Sequence, residues 1–220
     1  MAIDKKIELG DTQIIMSLAA FGVQPTTEQI SKIREYIILL LKWNNLVSFT
    51  SITAPVDIVA RHFGESMFAA SLLPFENGRL ADVGSGAGFP GLALKILHED
   101  LKVVLVESNK KKSAFLSEIV RSLALSDVEV LPTRFEEVRA EAGFVNFVTA
   151  RAVGGFPHIL RWSAKALSLR GHLILWVGGE DTTKISSTPG WIWQPAVRIP
   201  ESQRRFILIG RPIPQPIRRS

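Results

Sequence analysis

"LADVGSGAGFPGLAL", residues 80–94, places three glycines on alternate positions between two apolar runs. Glycine tolerates positive φ and lets another group approach the backbone closely. The proline that follows suits the start of a helix, so the stretch predicts a strand, a tight turn and a helix. The dinucleotide fingerprint G-x-G-x-x-G is not met, because Phe89 stands where its last glycine would be. We therefore predict a turn that carries a nucleoside cofactor and no pyrophosphate. Its glycines are Gly84, Gly86 and Gly88.

The order of predicted strands and helices on either side of this turn predicts the fold class. From the strand before the glycines onward, short β-rich runs alternate with helical stretches, which is typical of an α/β protein with a mostly parallel sheet and helices on both faces. The preceding part reads as helices, with a capping box at Thr26 and Gln29 and a helix that Pro55 opens. We predict a helical N-terminal extension (1–75), a core with the sheet (76–212) and a flexible basic tail (213–220).

Two acidic residues flank the turn where strands are predicted to end. Asp82 stands just before the glycines and could hold a backbone amide or an ammonium group. Glu107 ends the next apolar run, where a carboxylate can accept both hydroxyls of a ribose. Alternatively, the turn is only a tight turn and Glu107 only a solvated strand end. Because strand, glycines, helix, strand and acidic end follow in that order, we favour a nucleoside-cofactor site.

The composition limits the possible functions. The chain has no cysteine, which excludes a disulfide framework, a thiolate metal site and a cysteine nucleophile, and it shows no other metal motif. No apolar run approaches the roughly 18 residues of a membrane span, and the start has no signal core, so we expect a cytoplasmic protein without membrane contact. The net charge of +5 allows an anionic partner such as nucleic acid, although a mildly basic protein is often merely soluble.

Motifs along the chain resemble those of one protein family. From about Trp43 to Val153 they read WNNLVSFTSI, RHFGES, DVGSGAGFPG, VESNKKKSAFL, TRFEEV and TARAV. Together they resemble the RsmG family, also called GidB, whose members are 16S ribosomal RNA (guanine-N7) methyltransferases. The resemblance implies a class I, Rossmann-like methyltransferase fold with S-adenosylmethionine as cofactor. It implies 16S ribosomal RNA or the small ribosomal subunit as partner, and we expect a monomer.

The resemblance also implies which residues hold the cofactor. Gly84 and Phe89 in the turn contact the methyl donor, and at Phe135 and Glu136 in TRFEEV backbone groups and a carboxylate flank the adenine. Arg151 ends the fourth strand beside the donor, where we favour a site role over an ordinary surface cation. The predicted cofactor-binding set is Asp82, Gly84, Gly86, Gly88, Phe89, Glu107, Phe135, Glu136 and Arg151.

Two places depart from the family pattern. Gly64 and Glu65 in RHFGES stand where the family more often has Leu-Asp, which keeps a carboxylate and loosens the helix. After the fifth strand many members carry lysine and glycine, whereas this chain has WVGGED at 176–181. This chain lacks that lysine and therefore any RNA contact that the lysine makes in those members.

Methyl transfer to guanine N7 asks little of the protein. N7 has an in-plane lone pair and no proton, so its attack on the sulfonium methyl requires no general base, and we predict no proton-transfer residue. Alignment of acceptor, methyl and sulfur is what raises the rate. We expect Arg151 to orient the donor or the guanine. His62 is as consistent with a satisfied helix histidine as with RNA or active-site contact.

Basic residues supply the candidates for RNA contact. NKKKS places three lysines at the start of a helix, where they oppose the helix dipole, although such a run is usually a solvated face. The arginine-rich C-terminal end suits phosphate contacts that position RNA without specifying its sequence. Trp191 and Trp193, in a polar segment bounded by glycine and proline, could stack on a base, but packing against the sheet edge is favoured. The predicted RNA-binding set is Arg61, His62, Lys110, Lys111, Lys112, Arg204 and Arg205.

Two other functions fit the same fold, because a fold does not determine an activity. A small-molecule S-adenosylmethionine-dependent methyltransferase would have a deep, closed pocket and bind its substrate independently of salt. A non-catalytic module would keep cofactor or RNA binding without turnover, and the departure at WVGGED makes this conceivable.

Overall fold

The computed structural model describes residues 9–141, 143–152 and 154–214, so residues 215–220 of the predicted tail lie outside the described residues. The α-helices of this part are α1 (Asp11–Ala19), α2 (Thr27–Asn44), α3 (Pro55–Ile58), α4 (Glu65–Met67), α5 (Gly91–Leu97), α6 (Lys110–Ser122), α7 (Phe156–Ala166) and α8 (Gly179–Ser186). A π-helical turn covers Val59–Gly64, and 3-10 helices cover Phe68–Ser71 and Phe135–Glu137. The strands are β1 (Arg79–Val83), β2 (Lys102–Val106), β3 (Val128–Leu131), β4 (Val145–Arg151), β5 (Leu167–Gly178), β6 (Trp191–Trp193), β7 (Val197–Arg198) and β8 (Arg205–Pro212).

These strands form one sheet in the order β3-β2-β1-β4-β5-β8-β6, with β7 paired to β8. The first five strands are parallel, and β8 is antiparallel to β5. Parallel neighbours need crossover connections, which the intervening helices provide. The strand order reverses between β1 and β4, and sheets of this kind bind ligands outside the carboxyl ends of the strands at such a point. The predicted α/β class with a mostly parallel sheet is confirmed.

Helices cover both faces of the sheet. On one face α1, α2, α5 and α6 pack with the strands into a single buried cluster, which includes Ile14 and Phe115. On the other face α7 and α8 pack on a second cluster, which includes Ile159. Full burial of each such side chain contributes about 1.5–3 kcal/mol to folding. The N-terminal helices thus share a core with the sheet, and the division of the chain after residue 75 stays a prediction.

The N-terminal helices follow local signals in the sequence. At the predicted capping box, Thr26 Oγ1 accepts a hydrogen bond from the Gln29 amide at 3.2 Å, and Gln29 Oε1 accepts one from the Thr26 amide at 2.9 Å. These bonds satisfy donors that the start of α2 would otherwise leave free. The helix that Pro55 opens is less regular than predicted, because it passes from α3 through the π-helical turn and α4 to a 3-10 helix. We call residues 55–71 the helical segment.

Two places differ in detail from the sequence prediction. The segment PHILRWSAKALSL (157–169) is predicted to be helical throughout, but the helix ends with α7 at Ala166, because Leu167 pairs with Val145 and begins β5. The polar segment around Trp191 and Trp193 is strand β6, which pairs with β8 at the edge of the sheet. The two indole rings stack with their centroids 5.4 Å apart. The favoured use of these tryptophans, packing at the sheet edge, is what the structure shows.

Candidate functional site

The glycine turn leaves the carboxyl end of β1 with left-handed backbone, since Gly84 and Gly86 have φ of +69° and +57°. The amides of Gly84 and Ser85 donate to the Val106 carbonyl of β2 at 2.9 and 3.2 Å. A Cβ added at Gly86 would find the Gly84 carbonyl at 3.8 Å and nothing else within reach. The turn therefore presents open backbone at Gly86, as the close approach of a ligand requires.

Glu107 lies directly beside this open backbone. Its Oε2 accepts a hydrogen bond from the Gly86 amide at 2.9 Å, and its Oε1 accepts one from the Asn109 amide at 2.8 Å. Each carboxylate oxygen can accept a second hydrogen bond. The structure thus brings Glu107 and the turn together, contrary to the alternative of a solvated strand end, since Glu107 is only 8% exposed. Its contact with ribose hydroxyls stays a prediction.

Asp82 supports the turn from beneath. Its side chain is buried, and its two carboxylate oxygens accept hydrogen bonds from the Gly91 amide at 3.1 Å and the Thr149 hydroxyl at 2.7 Å. Burial raises the pKa of Asp82 to about 6, because the charged form is removed from water. Of the two predicted roles, the structure shows the backbone-amide role. The ammonium role stays a prediction.

The side-chain positions of Gly88 and Phe89 face the protein interior. A Cβ at Gly88 would overlap the Tyr36 hydroxyl, which donates to the Ala87 carbonyl at 2.6 Å. The Phe89 ring is buried and stacks on Tyr36 with centroids 5.3 Å apart. These residues fasten the turn to α2. A contact between their backbone and a cofactor stays a prediction.

Phe135 and Glu136 lie in the 3-10 helix that follows β3, at the same edge of the sheet as the turn. Phe135 is half-buried and meets the Trp162 ring edge-on at 6.2 Å between centroids. Glu136 is exposed. A half-buried aromatic ring and an exposed carboxylate thus follow β3, and their contact with adenine stays a prediction.

Arg151 ends β4 beside the turn, because Ala150 pairs with Val83 in the neighbouring strand. Its Nη2 lies 3.0 Å from Oε2 of the buried Glu65 and donates to the Arg61 carbonyl at 2.8 Å. Burial lowers the pKa of Arg151, and the charge of Glu65 opposes that shift. The alternative of an ordinary surface cation is wrong, since the guanidinium is held inside an ion pair. Its contact with the methyl donor stays a prediction.

His62 packs between the turn and the loop after α2. Its ring stacks on Phe89 with centroids 5.0 Å apart, and its Nε2 lies 3.0 Å from the Thr50 hydroxyl oxygen. Burial, together with the charges of the nearby Arg151 and Arg61, lowers the pKa of His62 to about 4. The imidazole is therefore neutral at physiological pH. It is the satisfied histidine of the two predicted alternatives, and the RNA contact stays a prediction.

The predicted RNA-binding arginines border a cleft of about 430 Å³ beside Glu65. Arg61 and Arg204 are exposed, whereas Arg205 is half-buried and places its Nη2 2.6 Å from Glu65 Oε1. The predicted lysines begin α6 as expected, and Asn109 caps that helix by accepting hydrogen bonds from two of their amides. These arginines and lysines thus lie, like the glycine turn, at the end of the sheet where the parallel strands have their carboxyl ends.

Comparison with known proteins identifies the family. The sequence model of the family GidB, described as rRNA small subunit methyltransferase G, matches residues 29–190. The chain belongs to the GidB family. Ribosomal RNA small subunit methyltransferase G of Nitrosospira multiformis is 38% identical over 163 residues, which cover 74% of this chain and 70% of that protein. The protein of that name from a Janthinobacterium species is 31% identical over 195 residues, which cover 84% of this chain and 87% of that protein.

Solved structures agree on the fold of this GidB family member. A SAM dependent methyltransferase from Aquifex aeolicus matches it with a TM-score of 0.59 at 17% identity, covering 71% of this chain and 92% of that one. The class I, Rossmann-like methyltransferase fold is therefore confirmed. Within the described residues, no group of acidic and histidine side chains could hold a metal ion, and no helix there is long and apolar enough to cross a membrane.

Sequence reasoning missed three residues that shape this GidB site. Tyr36 and Thr149 bind the turn and Asp82, yet they lie 51 and 67 residues away from those partners in the chain. Glu65 was noted only as a departure from the family pattern, although it holds two arginines. The available signal was its neighbour Gly64, where a Cβ would overlap the ring of Phe21. A glycine at that place allows another side chain to pack closely against the backbone beside Glu65.

Proposed function

We propose that this protein transfers a methyl group from S-adenosylmethionine to N7 of a guanine in the 16S ribosomal RNA of the small subunit. The observation that carries the proposal is the match of the GidB model to residues 29–190, which include the turn, Glu107 and Arg151. Relatives named ribosomal RNA small subunit methyltransferase G share this region. We further propose that the protein acts as a monomer in the cytoplasm.

The chemistry of the site fits S-adenosylmethionine. The open backbone at Gly86 leaves space where a Cβ would otherwise stand. Glu107 offers acceptors for the ribose hydroxyls, and Phe135 and Glu136 offer an apolar surface and a carboxylate for the adenine. We assign Gly84, Gly86 and these three side chains to cofactor binding. Asp82, Gly88 and Phe89 hold the turn in the shape that binding needs.

The chain contributes positioning rather than proton transfer to this reaction. S-adenosylmethionine supplies an electrophilic methyl group, and guanine N7 supplies a lone pair. The neutral His62 is hydrogen-bonded to Thr50, and Asp82 is buried in the protein. Neither is therefore placed to accept a proton from a substrate. Arg151 keeps its charge through the ion pair with Glu65 and orients the guanine or the donor. The rate enhancement then comes from alignment of the reacting atoms.

Basic side chains at the same edge of the sheet supply the affinity for RNA. Arg61 and Arg204 at the cleft and the lysines of α6 are free to contact phosphates, which position RNA without reading its sequence. Such contacts release counterions, so binding weakens as salt rises.

A mass map of nucleosides tests the proposal directly. Small-subunit rRNA that lacks the modification is incubated with S-adenosylmethionine, with and without the protein, and then digested to nucleosides. We expect one additional 7-methylguanosine per RNA molecule in the sample with protein. Methylation at another atom, or of a small molecule alone, would contradict the proposal. Cofactor binding without any methylated product would indicate a non-catalytic module.

A further inference from the structure

One buried carboxylate holds two arginines from different strands. The side chain of Glu65 is 2% exposed, and its two oxygens lie 3.0 Å from Nη2 of Arg151 and 2.6 Å from Nη2 of Arg205. Arg151 ends β4, and Arg205 begins β8 opposite the end of β5. Both oxygens of Glu65 are thus used, and one side chain sets the separation of the two guanidinium groups.

Residues 61–66 of the helical segment bind side chains of three strands, β4, β5 and β8. The Ser66 hydroxyl lies 3.4 Å from Nη1 of Arg151, and the Arg61 carbonyl accepts from Nη2 of the same guanidinium. Trp176 of β5 donates through its Nε1 to the Glu65 carbonyl at 2.8 Å. The N-terminal helical segment therefore forms one wall of the site and fixes the side chains at the carboxyl ends of β4 and β5.

The negative charge of Glu65 is needed to hold the surrounding arginines close to one another. Arg61, Arg151 and Arg205 surround Glu65, and each of them lowers its pKa against the rise that burial causes. Without the negative charge, the guanidinium groups would repel one another in a partly desolvated place. They would then move apart, and Arg151 would leave its position beside the turn.

The irregular backbone before Glu65 helps to place its side chain. The π-helical turn Val59–Gly64 directly precedes Glu65, and turns of this kind are frequent at functional sites. The missing side chain at Gly64 admits the ring of Phe21 against the helix. A regular helix with a larger residue at that place would not present Glu65 in the same way.

We infer that Glu65 is a positioning residue for methyl transfer, which acts through Arg151 and Arg205 and does not itself touch the RNA or the cofactor. The inference rests on the proposed function and extends it. A positioning role makes a prediction that a merely structural role does not. Loss of the Glu65 charge should slow transfer without weakening substrate binding, because it misplaces an arginine and leaves the surface more positive.

The test compares Glu65→Gln with Glu201→Gln, since Glu201 is an exposed glutamate at the same cleft. Single-turnover rates on small subunits are measured together with the affinities for S-adenosylmethionine and for rRNA. For Glu65→Gln we expect a transfer rate at least tenfold lower, a cofactor affinity within about threefold of the parent and an RNA affinity equal or tighter. Glu201→Gln should keep the parent rate.

Two further variants extend the test, and the first of them covers a failure of Glu65→Gln to fold. Glu65→Asp keeps the charge on a shorter side chain, and we expect it to recover part of the rate. In the Glu65→Gln/Arg205→Gln double variant one repelling charge is gone, and its rate should fall no further than that of the poorer single variant. An unchanged rate in Glu65→Gln, or a parallel loss of rate, cofactor affinity and melting temperature in Glu65→Asp, would overturn the inference. Absence of RNA methylation by the parent protein would instead overturn the proposed function.

Discussion

Gly86 and Gly88 lie two residues apart in the same turn and meet different surroundings. Both have positive φ, +57° and +86°. A Cβ at Gly86 would point into open space, whereas one at Gly88 would overlap the Tyr36 hydroxyl and lie 2.7 Å from Leu92. The first glycine therefore keeps space for a ligand, and the second allows the turn to pack on α2. The sequence motif does not distinguish the two glycines, whereas the structure shows that they have different roles.

The first prediction concerns Gly86→Leu. We expect this variant to lose S-adenosylmethionine binding in titration calorimetry, because the new side chain occupies the space of the nucleoside. The left-handed backbone should cost about 1–2 kcal/mol of stability. Gly190→Leu is the matched control, since Gly190 has φ +82° and no atom within 4 Å of its Cβ position. It should lose similar stability and keep full binding. Unaltered binding in Gly86→Leu would refute the site assignment.

Asp82 gives stability a definite pH dependence. Its pKa rises from 3.8 to about 6 in the folded protein. The folded state then binds more protons than the unfolded state between those values, so the contribution of this group to stability falls as pH rises from about 4 to 6. Asp82→Asn removes the titration and leaves groups that can still bond Gly91 and Thr149. We expect the stability of Asp82→Asn relative to the parent to improve by about 3 kcal/mol across that window. Urea unfolding at several pH values measures this difference, and a difference independent of pH would contradict the burial account.

At the scale of elements, the helical segment is the part that ties the N-terminal helices to the site. Its π-helical turn ends at Gly64, against which the ring of Phe21 packs after α1. A helix of regular pitch was predicted here, because the spacing of apolar residues does not distinguish α from π turns. The irregular turn places Glu65 and His62 toward the ends of the strands, so the departure from regular pitch serves the site.

The contact between Gly64 and Phe21 carries a stability prediction. Gly64→Ala should destabilise the protein by about 1–3 kcal/mol, because the added methyl group overlaps a buried ring. Phe21→Leu should reduce that cost by making room, so the two changes should be non-additive in chemical denaturation. Gly178→Ala is the control, since its Cβ position is open, and it should cost little. Equal costs for the two glycine changes would contradict the packing described.

Elements with local signals could be predicted, and contacts across the chain could not. The capping box at Thr26, the glycine turn and the strand that ends just before Glu107 are each encoded within a few residues. The bond between Arg151 and Glu65 joins residues 86 positions apart, and a single sequence gives no signal for such a pair. For the same reason Arg151 and Arg205 were predicted in separate roles, although the structure holds them on one carboxylate.

At the scale of the whole molecule, the modest net charge of +5 is less informative than its placement. The lysines at the start of α6, of which Lys110 and Lys111 are exposed, and the arginines of the cleft lie at the same end of the sheet as the turn. The opposite edge also carries cations, at the start of β2 and at the ends of α6 and α7. This arrangement permits a test in which charge is removed equally from either edge.

Salt dependence of RNA binding measures which edge contacts phosphate. Replacing Lys110, Lys111 and Lys112 by alanine should weaken binding and lower the slope of log affinity against log salt by about 2–3. Replacing the exposed Lys102, Arg121 and Lys165 removes the same charge from the opposite edge and should leave the slope nearly unchanged. The modified guanine should be the same in both variants, because phosphate contacts do not specify sequence. Equal effects of the two triple variants would show that net charge alone governs binding.

The central claim is methyl transfer to guanine N7 by positioning, with no proton moved. Its most direct test is single-turnover transfer between about pH 6 and 9 for the parent and for variants of His62 and Arg151. We expect a flat profile for the parent and for His62→Ala, because N7 carries no proton and the pKa of His62 is about 4. Arg151→Ala should be about 100-fold slower at every pH, and Arg151→Lys should recover only part of the rate, since a point charge lacks the planar fork of arginine. A bell-shaped profile that collapses in His62→Ala would contradict the claim, because it would show proton transfer and therefore a target atom other than N7.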